Sequence, residues 1–255
     1  MKDSRKIAYE QIIPSIIAMG FEAEKTHIYV DTDYPEIYKV AMELSTKTTF
    51  NKASKIFGFQ DDGENQNPGT FFYRSAVQIA QILLPQYEEF GGKKPTLIPV
   101  GIDQHPYLLL ARDIAEKKGF IPPAELDIKF LQGMDGKGKM SASREKGALF
   151  LTDDKKVLEK KIKSAYTGGS PSAAYQHRNG GVPEICPVYA LQEHHFPSKD
   201  LHNACSSGEI LCGDCKVKTL EQIIPLIEKH QLKRNEAKKH MDAYLLTTPI
   251  QSIDH

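Results

Sequence analysis

The chain has 255 residues, 40% of them hydrophobic and 26% charged, and its 33 basic and 33 acidic side chains cancel. That is an ordinary balance for one large or two small globular domains, and it confines any nucleic-acid surface to a local patch. No apolar run approaches a bilayer span, and the opening Met-Lys-Asp-Ser-Arg-Lys leads into an amphipathic pattern, so the expected location is cytoplasmic with no membrane partner.

Isoleucines at 7, 13, 16 and 17 predict a helix over residues 4–19, kinked at Pro14 and stopped at Gly20. Residues 27–31 (HIYVD) read as a short buried strand, and Asp33 as the cap of a helix over 35–45. Residues 71–84 are strongly apolar and end at Pro85, which predicts a buried helix. Residues 96–100 (TLIPV) predict a strand ending at Gly101. A helix then begins near Asp103, tolerates Pro106 in its first turn and closes at Gly119. Residues 126–130 (LDIKF) predict a third strand. Strands alternating with helices at this spacing imply a parallel sheet, whose ligands lie at the carboxyl ends of strands. Residues 101–104 and 131–143 occupy two such ends. After Thr152 the pattern changes. Asp153 and Asp154 cap a lysine-rich helix, residues 167–181 read as an exposed loop, and 183–246 are helical throughout. The expected fold class is therefore α/β over residues 1–151, followed by an all-helical domain over 152–255.

The sharpest motif is Lys139-Met140-Ser141-Ala142-Ser143, preceded by the glycine-rich Gly133-Met134-Asp135-Gly136-Lys137-Gly138. A flexible loop carrying a lysine and two hydroxyls can close on pyrophosphate and stabilise charge that develops in a transition state. Taken alone, such a loop reads more readily as a solvated linker, because Gly, Ser and Lys are common loop residues. A second constellation is Cys186, Cys205, Cys212 and Cys215, four cysteines in one short segment closing with Cys-x-x-Cys. In a reducing compartment that pattern points to a four-cysteine zinc site or a four-iron cluster, against the alternative of free core cysteines.

The lysine motif resembles the second signature of class I aminoacyl-tRNA synthetases, and it stands where that family places it, after the last strand of the nucleotide-binding sheet. Gly101-Ile102-Asp103-Gln104-His105-Pro106-Tyr107 resembles the corresponding segment of the tryptophan enzymes. Ile56-Phe57-Gly58-Phe59, Gln78 with Ala80, Pro85-Gln86, and residues 181–189 (GVPEICPVY) follow in similar order. From about residue 4 onward the chain resembles the C-terminal part of a tryptophanyl-tRNA synthetase of archaeal/eukaryotic type.

The resemblance implies a Rossmann-like nucleotide-binding fold, then a helical anticodon-binding domain. It implies ATP with Mg2+, L-tryptophan and tRNA(Trp) as ligands, with no DNA partner. It assigns Lys139, Ser141 and Ser143 to catalysis and Gly133, Lys139 and Met140 to ATP. Gln86, Asp103 and Gln104 go to tryptophan, with His105 replacing the family's usual acidic residue. The x6 and x2 cysteine spacings are similar to a four-iron, four-sulfur motif of some bacterial tryptophan enzymes, although the first gap is shorter. The family's first signature, of His-x-Gly-His type, is absent from these 255 residues. The expectation is an incomplete nucleotide-binding fold with exposed strand edges and apolar surface, and impaired catalysis. A non-catalytic tRNA-binding paralogue is the alternative; a tyrosine enzyme is disfavoured by Pro85-Gln86 and residues 56–59.

Two lysine-rich helices, with Lys155, Lys156, Lys160, Lys161 and Lys163 on one and Lys229, Lys233, Arg234, Lys238 and Lys239 on the other, read as solvated faces or as tracks for tRNA phosphates. Phe71, Val77, Ile79, Ile82 and Leu83 fall on more than one face of their helix, which predicts a homodimer.

Overall fold

The structure, a computed structural model, describes residues 2–58, 67–169 and 172–253. The chain opens with α1 (Lys2–Ile7), a π turn (Ala8–Ile12) and α2 (Ile13–Ala18), followed by α3 (Glu36–Ser45) and α4 (Phe50–Phe57). Next come α5 (Pro68–Phe72), a second π turn (Tyr73–Val77), α6 (Gln78–Leu83), β1 (Leu97–Gly101), α7 (His105–Lys118) and β2 (Ala124–Ile128). The remainder is α8 (Lys155–Lys163), α9 (Ala173–Asn179), α10 (Pro187–His195), α11 (Leu201–Ser206) and α12 (Cys212–Ala237).

Local chemistry explains most of the boundaries. Pro14 has no amide hydrogen and its ring crowds the preceding turn; the backbone widens over Ala8–Ile12, with Ile13 donating back to the Ala8 carbonyl, and α2 resumes beyond. Asp154 caps α8 by accepting from the Val157 amide at 2.8 Å, and Gly119 closes α7 at φ 77°. Three local expectations fail. Asp33 sits in a turn, and α3 starts behind Pro35 with no side-chain cap. Residues 167–181 are not loop throughout, because Ser172 accepts from the Tyr175 amide and nucleates α9; Ser170 and Pro171 lie outside the described residues, as does Phe59. Residues 27–31 form no strand and make only a single parallel bridge, Ile28 to Leu245, because a strand needs a neighbour along its length.

The chain divides into two compact units, and not at residue 152. One comprises the residues up to Thr26 together with Phe130–Tyr244; the other comprises His27–Lys129 and the residues from Leu245. In the first, α12 packs on α2, α8 and α10, and Met134, Leu158, Ile162, Leu191, Ile223 and Ile227 form the core. In the second, α3, α6 and α7 enclose Ile37, Val40, Leu44, Ile79, Leu83 and Ile114, all 0% exposed. Each fully buried aliphatic side chain contributes about 1.5–3 kcal/mol. A pair of acid clamps straps the C-terminal segment to this unit: Glu89 accepts from the Gln251 and Ser252 amides, and Glu36 from that of Ile250.

β1 and β2 pair in parallel, Leu97 with Ala124 through Gly101 with Ile128. Leu97, Pro99, Leu126 and Ile128 therefore share one face, on which Leu97 is 61%, Leu126 54% and Ile128 52% exposed. Parallel sheets ordinarily bury both faces, whereas this one leaves an apolar face exposed.

Candidate functional site

The lysine motif lies on a loop closed by backbone hydrogen bonds, contrary to its glycine-rich appearance. The Met140 amide donates to the Leu131 carbonyl at 2.7 Å, Gly133 to Gly138 at 3.0 Å and Met134 to Gly147 at 2.8 Å. The Lys137 amide donates to Asp135 Oδ1 at 3.0 Å, and Arg144 donates to the Lys139 carbonyl. The glycines permit this tightness: a Cβ on Gly133 would come within 2.7 Å of Asp135 Oδ1. Gly133, Lys139, Met140, Ser141 and Ser143 are thereby gathered on one loop. Lys139 Nζ stands 4.2 Å from the centroid of the Phe130 ring, and the Ser141 and Ser143 hydroxyls are 2.9 Å apart. A cation with two paired hydroxyls is a suitable receptor for a phosphate group.

In the other unit, at the carboxyl end of β1, a pocket of about 240 Å³ is lined by Gln78, Gln81 and Gln104 on its polar side and by Ile98, Val100 and Tyr107 among its apolar walls. Gln104 donates to Asp103 Oδ1 at 3.1 Å, so these two expected residues meet. From the pocket wall, Gln81 Nε2 donates to both oxygens of Asp31, at 2.8 and 2.9 Å, and the Tyr73 hydroxyl donates to the same carboxylate at 2.8 Å. Burial, then the Asp31 bond, pushes the Tyr73 phenol up to about 12; burial and Asp31 also push the Tyr29 phenol up. Both remain protonated donors at neutral pH. Gln81, Asp31 and Tyr73 were missed from sequence. Their one signal was two amides, Gln78 and Gln81, a helical turn apart within an otherwise apolar helix.

Gln86 takes no part in this pocket. It is 1% exposed, with both ends of its amide spent on one residue: Nε2 donates to the Ile121 carbonyl at 2.7 Å, and the Ile121 amide donates to Oε1 at 2.9 Å. A buried amide with its strongest partners satisfied is a brace, which corrects the expectation that Gln86 faces a substrate. His105 instead pairs with Glu125, Nδ1 to Oε1 at 2.8 Å, and Arg112 Nη2 reaches the same oxygen at 3.1 Å. His105, Glu125 and Asp127 bring three ligand-capable atoms within 4.8 Å of one another, but Arg112 already supplies the compensating cation.

The four cysteines come together around one small cavity, with Thr167, Val188 and Tyr189 between them. Cys186 caps α10, its sulfur accepting from the Tyr189 amide at 3.4 Å; Cys205 lies in the last turn of α11; Cys212 and Cys215 open α12. Gly213 lies between them in regular helix. Gly169 and Gly181 provide the room, since a Cβ would come within 2.4 Å of Cys212 Sγ at the first and 3.0 Å of Cys205 Sγ at the second. All four thiols are free. Burial, followed by the neighbouring cysteines, pushes the Cys215 thiol up to about 11 and that of Cys205 up as well. Among the described residues, no three cysteine sulfurs lie mutually within 4.8 Å.

Part of the expected basic track is spent locally. Lys161 pairs with Asp153 at 2.7 Å and lies 4.7 Å from the Phe150 ring centroid, Lys163 pairs with Glu159, and Arg234 donates to the Glu10 carbonyl. Lys160 and Lys161 join Lys146 and Phe150 along a groove of about 760 Å³. Among the described residues no helix is long and apolar enough to cross a membrane.

The profile of the family described as tRNA synthetases class I (W and Y) matches residues 1–228. A tryptophan–tRNA ligase of Pyrobaculum calidifontis is 40% identical over 255 residues, covering 98% of this chain and 67% of that protein. One of Thermococcus kodakarensis is 39% identical over 253 residues, covering 96% and 63%. The crystal structure of tryptophanyl-tRNA synthetase from Aeropyrum pernix superposes with a TM-score of 0.86 at 33% identity, covering 97% of this chain and 68% of that one. The chain thus spans about two thirds of the length of its relatives. With the second signature on its loop, the strand-end amide pocket and a family profile matching most of its length, the chain belongs to the class I tRNA synthetases of the tryptophan and tyrosine family.

Proposed function

We propose that this chain is the part of a tryptophan–tRNA ligase that carries the second signature, the strand-end wall of the amino-acid pocket and helical segments, from Lys155 to Ala237, of an anticodon-binding domain, and that it acts in the cytoplasm. The observation that carries this reading is the closed Lys139 loop, in a chain 40% identical to an archaeal tryptophan–tRNA ligase. Tryptophan and ATP, with Mg2+, give tryptophanyl-adenylate and pyrophosphate; the terminal hydroxyl of tRNA(Trp) then takes the amino acid. Lys139, Ser141 and Ser143 bind and stabilise the phosphates, with Gly133 and Met140 shaping the ATP side. Gln104 and Asp103 orient the substrate's ammonium, while Gln86 is a brace on Ile121. Positioning and electrostatics supply the catalysis, with no covalent nucleophile.

The Lys146–Lys160 groove and the exposed lysines of α8 follow tRNA phosphates. The chain pairs as a homodimer. Val77, Ile79 and Leu83 are 0% exposed within one chain, so the contact falls to Tyr38, Met42, Phe50 and Tyr73, which are 37%, 60%, 67% and 41% exposed. Cys186, Cys205, Cys212 and Cys215, which line one cavity, would hold an iron–sulfur cluster or zinc, bracing the helical segments more than serving catalysis.

By itself the chain is expected to show little ATP–pyrophosphate exchange, because its sequence has no His-x-Gly-His signature; turnover on the order of 1–100 s⁻¹ would overturn that. Ligand-dependent melting tests the specificity: tryptophan and ATP should each raise Tm, and tyrosine should not. A rise with tyrosine alone would sink the tryptophan reading. In any active form, Lys139→Ala should lower kcat far more than it weakens tryptophan binding.

A further inference from the structure

A second cavity, of about 140 Å³, lies against the lysine loop within the same unit. Leu191, Ile223 and Ile227, each more than nine-tenths buried, form its base. Met140, the residue after the signature lysine, lines it, and so does Leu131, whose carbonyl receives the Met140 amide at 2.7 Å. At the solvent side stand Leu226, 50% exposed, and His195. An enclosed cavity of about 150 Å³ walled by apolar side chains accepts a benzene-sized ring, and this one, of similar volume, differs in opening to solvent on one side. The lining here is of that kind, and its single polar side chain sits at the opening. Burial, and then the neighbouring His194, hold the His195 imidazole below its ordinary pKa, so it meets a ligand as a neutral ring able to make one hydrogen bond.

We propose that this cavity binds a small phenol-like molecule, an apolar ring with one hydroxyl facing His195, and that its occupancy holds the lysine loop in the closed arrangement. The coupling is steric. Met140 and Leu131 are joined across the base of the loop by a backbone hydrogen bond, and both would rest on the bound ring. A ring filling the space beside them adds van der Waals contact to the closed form alone and shifts the population toward it. In that form Lys139 lies over Phe130. Binding and loop closure are properties of this chain alone and do not depend on the activity proposed above.

Titration of the 255-residue chain with 4-fluorophenol, followed by fluorine NMR, tests the site. Saturable broadening of one resonance is expected. Leu226→Trp, a change at a half-exposed position that fills the opening and spares the core, should weaken binding about tenfold or more by denying the ring its buried contacts. Gln104→Ala, in the other unit, should leave binding unchanged. Trypsin reports the coupling: cleavage after Lys137 and Lys139 should slow about threefold or more at saturation, because the loop must open to be cut. In Met140→Ala the ring should still bind while that protection disappears. Absence of saturable binding, binding that survives Leu226→Trp, or a cleavage rate that ignores the ligand would each overturn the proposal.

Discussion

Gln86→Leu separates a substrate ligand from a structural brace. The change keeps the side-chain volume nearly constant and deletes two hydrogen bonds, of 2.7 and 2.9 Å, to the carbonyl and amide of Ile121. Each bond contributes about 1 kcal/mol net, and each backbone group left without a partner costs a further ~1–3 kcal/mol if water cannot reach it. Ile121 is half-buried, so water restores part of that loss. The expected destabilisation is about 2–4 kcal/mol. Urea unfolding monitored by circular dichroism should show the midpoint falling with an unchanged slope, and amide exchange at Ile121 should accelerate. If the variant unfolds within about 0.5 kcal/mol of the parent, the range of neutral surface changes, and instead loses tryptophan binding, the brace argument is wrong and Gln86 is a ligand.

Other perturbations test other parts of the structure. Glu43 accepts from the buried Tyr87 hydroxyl at 2.6 Å and pairs with Lys118, both ion-pair side chains being under 10% exposed. Lys118→Met should cost about 3–5 kcal/mol by stranding the carboxylate, and the double change Glu43→Leu with Lys118→Met should recover much of it; unfolding of the two variants measures the difference. Burial opposes ionisation of Glu89, but the Ser252 hydroxyl and the Gln251 and Ser252 amides outweigh it and take its pKa from an ordinary 4.5 to about 2. Lowered in the folded state, this group contributes stability that is complete above about 4.5 and lost as pH falls toward 2. Residues 246–253 should therefore become protease-sensitive before the rest of their unit on acidification, and equal resistance across the unit at pH 3 would refute the clamp. Anaerobically reconstituted protein should be brown, and removal of the metal should lower Tm while leaving tryptophan-induced stabilisation intact; colourless protein with one zinc per chain would decide for zinc.

The sequence by itself determined the local grammar and the family. β1 with Gly101, α7 between its first-turn Pro106 and Gly119, and α8 behind Asp154 were all legible, because caps, prolines and glycines act within one turn of where they stand. The lysine motif stood out in the sequence as a family signature, and the family is what the comparisons show. Tertiary structure decided everything that depends on what a side chain meets across the chain. Gln86 reads as a substrate amide until Ile121, 35 residues on, takes both of its ends. Asp31, Tyr73 and Gln81 look like unrelated polar residues until folding joins them by hydrogen bonds at the pocket that Gln81 lines. Residues 27–31 have strand composition and form no strand, because a strand is completed by a neighbour and not by its own residues. The lysine loop, which follows the sheet in sequence, belongs by contact to the helical unit, since the apolar residues beside its lysine, Leu131, Met134 and Met140, pack into that core. Burial is a sum over contacts from distant segments, and no spacing along the sequence records which segment will supply them.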